Sequence, residues 1–347
     1  MGYVAESDMT LNRMEGKPVN GARTPLRDVI PLPRPYTMSI FPTFACNFKC
    51  RYCIQAVPQE ERKNTCNRIM LSLDTYKKLI DDLIQMGEPI PALHFGGHGE
   101  PLLHPDIIEM VRYAKEKNAA KMVDIVTNGV LLHREMADGL IAAGVDRLRI
   151  SIQGLEAQRY KEMCNATVDL AAFLKDLAYL FEHREQTRIY LKIIDVELEG
   201  HTEEEFIAMF GRFADEIAVE HLIPLAAKID YEKEFARDDF RATMGGLPVN
   251  NAEVCPQPFY YMMINPDGDI LPCCMSERPI ILGNIERESL IEIWNGRVRQ
   301  TFLKKQLAKQ KAQYPVCRDC TYYRYGLWPE DYIDDVAEDL LRRCFGM

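Results

Sequence analysis

Three cysteines lie within eight residues, in Cys46-Asn47-Phe48-Lys49-Cys50-Arg51-Tyr52-Cys53. Cysteine thiolate is the usual ligand of iron-sulfur clusters, and three of them on one loop can hold three irons of a cubane while the fourth iron lacks a protein ligand. An open coordination position marks a reactive rather than a structural metal site. A zinc knuckle would want a fourth nearby ligand, yet no His or Cys follows until Cys66. A second set, Cys255, Cys273, Cys317 and Cys320, supplies four thiolates, the last two as Cys-Arg-Asp-Cys. One close pair among four thiolates also suits a tetrahedral zinc ribbon. The chain has 11 cysteines, which leaves Cys66, Cys164, Cys274 and Cys344 outside both sets. Packing explains free cysteines of this kind most simply, because the thiol behaves as a small buried hydrophobe.

Polar groups able to bind a ligand recur at intervals after the first cysteine set. Phe95-Gly96-Gly97-His98-Gly99-Glu100-Pro101 combines glycines, which let backbone approach a ligand, with a carboxylate suited to an ammonium group. Thr127-Asn128-Gly129 and Ser151-Ile152-Gln153-Gly154 offer hydroxyl and amide side chains, and Lys192 could pair with a carboxylate. Each of these also reads as a turn or a helix cap.

The elements that must position these groups are visible in the periodicity. Strand-like runs cover 36–44, 92–95, 122–127, 147–152, 189–196 and 218–223. Amphipathic stretches at 73–86, 106–117, 134–143, 170–183 and 203–214 separate most of them. Strands alternating with helices imply a parallel sheet covered on both faces, either closing toward a barrel or opening as a doubly wound layer. In both arrangements ligands sit at the C-terminal ends of strands, which is where the motifs fall. Residues 228–253 are charged, with Gly245-Gly246 and Pro248, and read as a linker. Beyond Cys255 a hairpin signal, Asn265-Pro266-Asp267-Gly268 between two apolar runs, precedes a helical pattern from about Ser289 to Gln306.

With its order of motifs established, the chain resembles the radical S-adenosylmethionine superfamily. That family carries three cysteines at this spacing with an aromatic residue before the third, a place that Tyr52 fills. The resemblance implies an α/β fold, a partial (β/α)6 TIM-like barrel with a small auxiliary iron-sulfur domain. The implied organisation is an N-terminal extension (1–35), the barrel (36–225), a linker (226–254) and the auxiliary domain (255–347). Cys46, Cys50 and Cys53 would ligate the catalytic 4Fe-4S cluster. The Gly97-His98-Gly99-Glu100 stretch is similar to the Gly-Gly-Glu-Pro motif that receives the amino group of S-adenosylmethionine. Tyr52, Asn128, Ser151, Gln153 and Lys192 are the remaining implied cofactor contacts. The second cysteine set resembles SPASM and Twitch domains, with Cys255, Cys273, Cys317 and Cys320 on one auxiliary 4Fe-4S cluster. Gly268, five positions before Cys273, favours Cys273 over Cys274 as the ligand. The full SPASM pattern would place another cysteine where Gly326 stands.

What the resemblance implies chemically is reductive cleavage of S-adenosylmethionine to a 5'-deoxyadenosyl radical, followed by hydrogen abstraction from a substrate. The expected activity is dehydrogenation or epimerisation of a hydroxyl-bearing small molecule such as a sugar or cyclitol, by analogy with single-auxiliary-cluster relatives that include aminoglycoside cyclitol dehydrogenases. An epimerase needs a hydrogen donor, for which Cys164, Cys66 and Cys274 are candidates. Maturation of a ribosomally made peptide is the alternative; the roughly 35 residues before the first strand are few for an independent leader-binding domain. A non-enzymatic zinc scaffold is the alternative from another class. A flavodoxin or ferredoxin would supply electrons. The net charge of -10 argues against a nucleic-acid partner. Met1 to Met14, with Glu6, Asp8 and Arg13, lacks a signal-peptide core, and no segment approaches a membrane span, so a soluble cytoplasmic protein is expected.

Overall fold

The computed structural model describes residues 11–15, 23–62, 66–238, 240–275 and 277–346; most of the Met1 to Met14 segment lies outside them. Among the described residues, ten strands form one open sheet in the order β1-β7-β6-β5-β4-β3-β2-β8-β9-β10. They are β1 Asn12–Glu15, β2 Thr37–Ile40, β3 Ile90–Phe95, β4 Ala120–Thr127, β5 Arg147–Ile152, β6 Arg188–Ile194, β7 Glu216–Glu220, β8 Tyr261–Ile264, β9 Asp269–Leu271 and β10 Gly283–Asn284. Every pair from β1 to β8 is parallel, whereas β8-β9 and β9-β10 are antiparallel. This is the partial α/β barrel, with an auxiliary unit at its C-terminal end.

Alternation along the strands sorts the residues. Leu93, Phe95, Val123, Ile125, Leu148, Ile150, Ile189 and Leu191 are fully buried. They pack in one core with Tyr76, Leu79, Met110, Val111, Leu140, Leu177, Phe206 and Phe210 of the surrounding helices. Intervening positions turn to the other face of the sheet, the interior of the partial barrel. The helices start where the sequence supplies caps. Ser72 accepts from the Thr75 amide to begin Leu73–Gln85, Asp169 from the Ala172 amide to begin Leu170–His183, and Thr202 with Glu205 forms a capping box before Glu203–Phe210.

Four features depart from the periodicity reading. Asn12–Glu15 of the N-terminal extension adds a strand, parallel to β7. A helix, Ala157–Cys164, stands where none is expected, because it buries only Tyr160, Met163 and Cys164 and so has no long apolar stripe. The single helix expected from Ser289 to Gln306 is two, Leu290–Asn295 and Arg297–Leu307, broken at Gly296, whose ψ of 151° is extended. The segment read as a linker holds a short helix, Tyr231–Phe235. Its Tyr231 hydroxyl donates to the Tyr52 carbonyl at 2.6 Å.

Candidate active site

The first cysteine loop leaves β2 and is fastened from two sides. The Lys49 and Arg51 amides donate to the Cys164 and Met163 carbonyls, each at 2.8 Å, so the unforeseen helix Ala157–Cys164 uses its unsatisfied C-terminal carbonyls to hold the loop. From the barrel, the buried Tyr52 hydroxyl donates to Gln153 Oε1 at 2.5 Å. The Cys50 and Cys164 thiols lie 3.8 and 3.6 Å from the same oxygen and 3.5 Å from each other. Burial pushes the Cys46 and Cys53 thiols up to about 12. Ligation by these thiols therefore requires the metal to displace their protons.

The glycine motif packs directly on this loop. A Cβ at Gly99 would meet the Thr43 carbonyl oxygen at 2.1 Å and that of Ala45 at 2.7 Å, and Gly97 has φ +113° with the Phe41 ring 2.4 Å from where a Cβ would stand. Both positions therefore require glycine. Glu100, only 2 % exposed, knits three segments together. Its Oε1 accepts from the Leu102 amide at 3.0 Å and the Thr127 hydroxyl at 2.7 Å, and its Oε2 accepts from the Asn128 amide at 2.8 Å. Burial raises its carboxyl, against the effect of these donors. Asn128 Nδ2 reaches Asn47 Oδ1 at 2.7 Å, so the Thr127-Asn128-Gly129 turn also grips the cysteine loop. His98 points its Nε2 at the Cys274 carbonyl, 3.2 Å away, and burial lowers it to about 4.

The interior face of the barrel is polar. Asp124 is bonded by His94, by Arg147 at 2.8 Å and by Arg149 at 3.1 Å. Burial opposes its ionisation, yet Arg149, His94 and Arg147 together hold its carboxyl well below the usual range. One rung further, Glu220 accepts from Lys192 at 2.7 Å and from Tyr190 at 3.0 Å. Ser151, paired in register with Lys192, is partly buried. Glu197, just after β6, is buried with Arg159 at 3.4 Å, and burial raises it to about 8. His94, Asp124, Arg147 and Arg149 were not among the expected site residues. Their signal is charge at alternate positions of otherwise apolar strands.

The second cysteine set is also brought together. Cys255, Cys273, Cys317 and Cys320 line one cavity with Gln306, Lys311, Tyr322 and Tyr323. Burial raises all four thiols, and Cys320 raises those of Cys255 and Cys317. Among the described residues no three His, Cys, Asp or Glu side chains converge on one metal ion; a cubane, which binds each thiolate to a separate iron, does not ask for that convergence. Of the three hydrogen-donor candidates, Cys164 sits behind Cys50, Cys274 lies between His98 and Gln257, and Cys66 donates to the Arg68 carbonyl at 3.0 Å, beside Asp267 of the β8-β9 turn.

Comparison with known proteins places these features. The model of the radical SAM superfamily matches residues 40–212, and that of the SPASM iron-sulfur cluster-binding domain matches 255–321. A Pyrococcus furiosus protein, named as the cofactor-modifying protein of tungsten-containing aldehyde ferredoxin oxidoreductase, is 25% identical over 317 residues, 80% of this chain and 85% of its own. Among solved structures, BtrN in complex with AdoMet and 2-DOIA superposes with a TM-score of 0.54 at 18% identity, covering 82% of this chain and 92% of that one. Native anSMEcpe with bound AdoMet and Cp18Cys peptide gives 0.51 at 15% identity, covering 88% and 95%. Both share the fold. The zinc-scaffold alternative falls with the family match, because this is an enzyme that uses S-adenosylmethionine with catalytic and auxiliary 4Fe-4S clusters. The chain belongs to the radical SAM superfamily and carries a SPASM auxiliary domain.

Proposed function

We propose that this enzyme dehydrogenates or epimerises a hydroxyl-bearing small molecule of the sugar or cyclitol type, held in the barrel interior. Cys46, Cys50 and Cys53 hold the catalytic cluster, and Cys255, Cys273, Cys317 and Cys320 the auxiliary one. The observation that carries this reading is the polar interior. Its His94, Asp124, Arg147, Arg149, Tyr190, Lys192 and Glu220 replace the branched apolar side chains that usually fill a barrel. Such a lining suits a substrate dense in hydroxyl groups, each of which must exchange its water for a hydrogen bond when enclosed.

When bound, the cofactors supply a 5'-deoxyadenosyl radical that takes a substrate hydrogen atom and an acceptor for the electron left behind. The chain's own residues do the rest. Tyr52 and Gln153 fix the cysteine loop against β5. Gly97 and Gly99 let the loop of Glu100 lie against it, and Asn128 ties in the next strand end. Ser151 and Lys192 present a hydroxyl and an ammonium at the strand ends, where the cofactor's ribose and carboxylate are received. Glu220 orients Lys192 through an ion pair at 2.7 Å.

The test is anaerobic turnover of hydroxylated candidates in deuterated water, with dithionite or a flavodoxin or ferredoxin as the reductant. Oxidised product without solvent deuterium identifies a dehydrogenase. Redox-neutral product carrying deuterium identifies an epimerase and turns attention to Cys164, Cys274 and Cys66 as thiol donors. Turnover only of a peptide would overturn the small-molecule reading.

A further inference from the structure

Gln306 is fully buried on the helix Arg297–Leu307, and among the described residues neither its Nε2 nor its Oε1 makes a well-formed hydrogen bond; the polar group its side chain meets is the Cys317 thiol. A buried primary amide whose only polar neighbour is a thiol is costly, and leucine would fill the same space without that cost. Phe302, Leu303 and Leu307 of the same buried face are apolar, and the other polar residue on it, Arg299, donates to backbone carbonyls, whereas the Gln306 amide makes no such bond among the described residues. It is aimed at one place. Gln306 lines the cavity of Cys255, Cys273, Cys317 and Cys320, and its side chain faces the Cys317 thiol. Lys311 lines the same cavity, with its ammonium on the Tyr323 hydroxyl.

A 4Fe-4S cluster offers only acceptors, its sulfides and its cysteine sulfurs, so the amide can meet it only as a donor. Reduction adds one negative charge to the cluster. An N–H dipole pointing at a sulfur stabilises the reduced form more than the oxidised one and raises the potential, as hydrogen bonds to cluster sulfurs generally do. We propose that Gln306 donates from Nε2 to the auxiliary cluster, at the Cys317 sulfur or an adjacent sulfide, and sets that cluster's potential high enough to accept an electron from a substrate radical. This inference rests on the assignment of the four cysteines as the auxiliary cluster's ligands. It makes Gln306 a tuning residue of the electron acceptor, and Lys311 a second positive contribution to the same potential.

The test uses anaerobically reconstituted holoenzyme and its Gln306→Met and Gln306→Glu variants, with iron content measured first. Met keeps the length and buried volume of the side chain while removing the donor, and Glu replaces the donor with a carboxylate. In redox titrations followed by electron paramagnetic resonance, the auxiliary midpoint should move to more negative potential in Gln306→Met and further in Gln306→Glu, while the catalytic midpoint stays in place. With 15N-labelled glutamine side chains, pulsed resonance of the reduced auxiliary cluster should show a nitrogen coupling that Gln306→Met lacks. An auxiliary midpoint unchanged in both variants, or the same nitrogen coupling in Gln306→Met, would overturn the proposal. A wild-type protein with only one cluster would instead sink the ligand assignment beneath it, and the iron count separates that failure from the first.

Discussion

Glu100 already spends three hydrogen bonds inside the protein, on Leu102, Thr127 and Asn128, which changes what its removal should do. Glu100→Ala strands three donors in a buried place, at about 1–3 kcal/mol for each one left unsatisfied. We expect lower thermal stability together with weaker S-adenosylmethionine binding, measured by calorimetry and by equilibrium titration; an unchanged melting temperature with lost affinity would make Glu100 a pure ligand contact. Replacing Cys46, Cys50 and Cys53 together by Ala should halve the iron content and abolish release of 5'-deoxyadenosine by dithionite-reduced enzyme, because no open iron remains for the cofactor. His98 gives a pH signature. Its imidazole titrates at about 4 in the fold but at 6.5 when unperturbed, so the folded state resists protonation. Stability is then full well above pH 6.5 and declines by about 3 kcal/mol as the pH falls toward 4, a slope that His98→Gln should flatten in pH-dependent unfolding. At this scale the cysteine spacing and the glycine motif were legible in the sequence, since their chemistry depends on neighbours along the chain. The Tyr52-Gln153 bond and the Asp124 cluster were not, because they join residues 101 and 30 positions apart that only the folded sheet brings together.

Secondary structure was legible where a buried face repeats. β5 and the helix Leu170–His183 have the expected limits because apolar residues recur along both, and a side-chain cap marks the helix start. The helix Ala157–Cys164 escaped detection because its work is done by backbone carbonyls, which leave no trace in side-chain pattern. Gly99 shows how tightly one element is seated on another. Gly99→Ala would drive a methyl group into two carbonyl oxygens, so the motif must lift off the cysteine loop. We expect the purified variant to hold less iron and to melt earlier. Gly326→Ala, with nothing within 4 Å of the added carbon and φ -105°, should change neither, and an effect equal to that of Gly99→Ala would remove the steric explanation.

At the level of the whole molecule, the two thiol sites belong to one sheet, and the decisive experiment severs their chemistry without severing the fold. Cys317→Ala with Cys320→Ala should leave reductive cleavage of S-adenosylmethionine intact yet suppress formation of oxidised product; normal product at the normal rate would leave the auxiliary cluster a structural role alone. The parallel barrel was legible as alternating strands and helices, but the attachment of the C-terminal unit was not, because nothing local in Tyr261–Ile264 says which strand it will meet. It meets β2, residue for residue from Thr37 opposite Tyr261 to Ile40 opposite Ile264. That ladder makes the auxiliary unit the guard of an edge. Cut after residue 254, the chain would leave β2 with a bare row of amides and carbonyls flanked by the buried Met38 and Ile40, a template for pairing with a second molecule. The barrel is thus not excisable, and shuffling this auxiliary unit onto another enzyme would require a strand of matching register to take the vacated place.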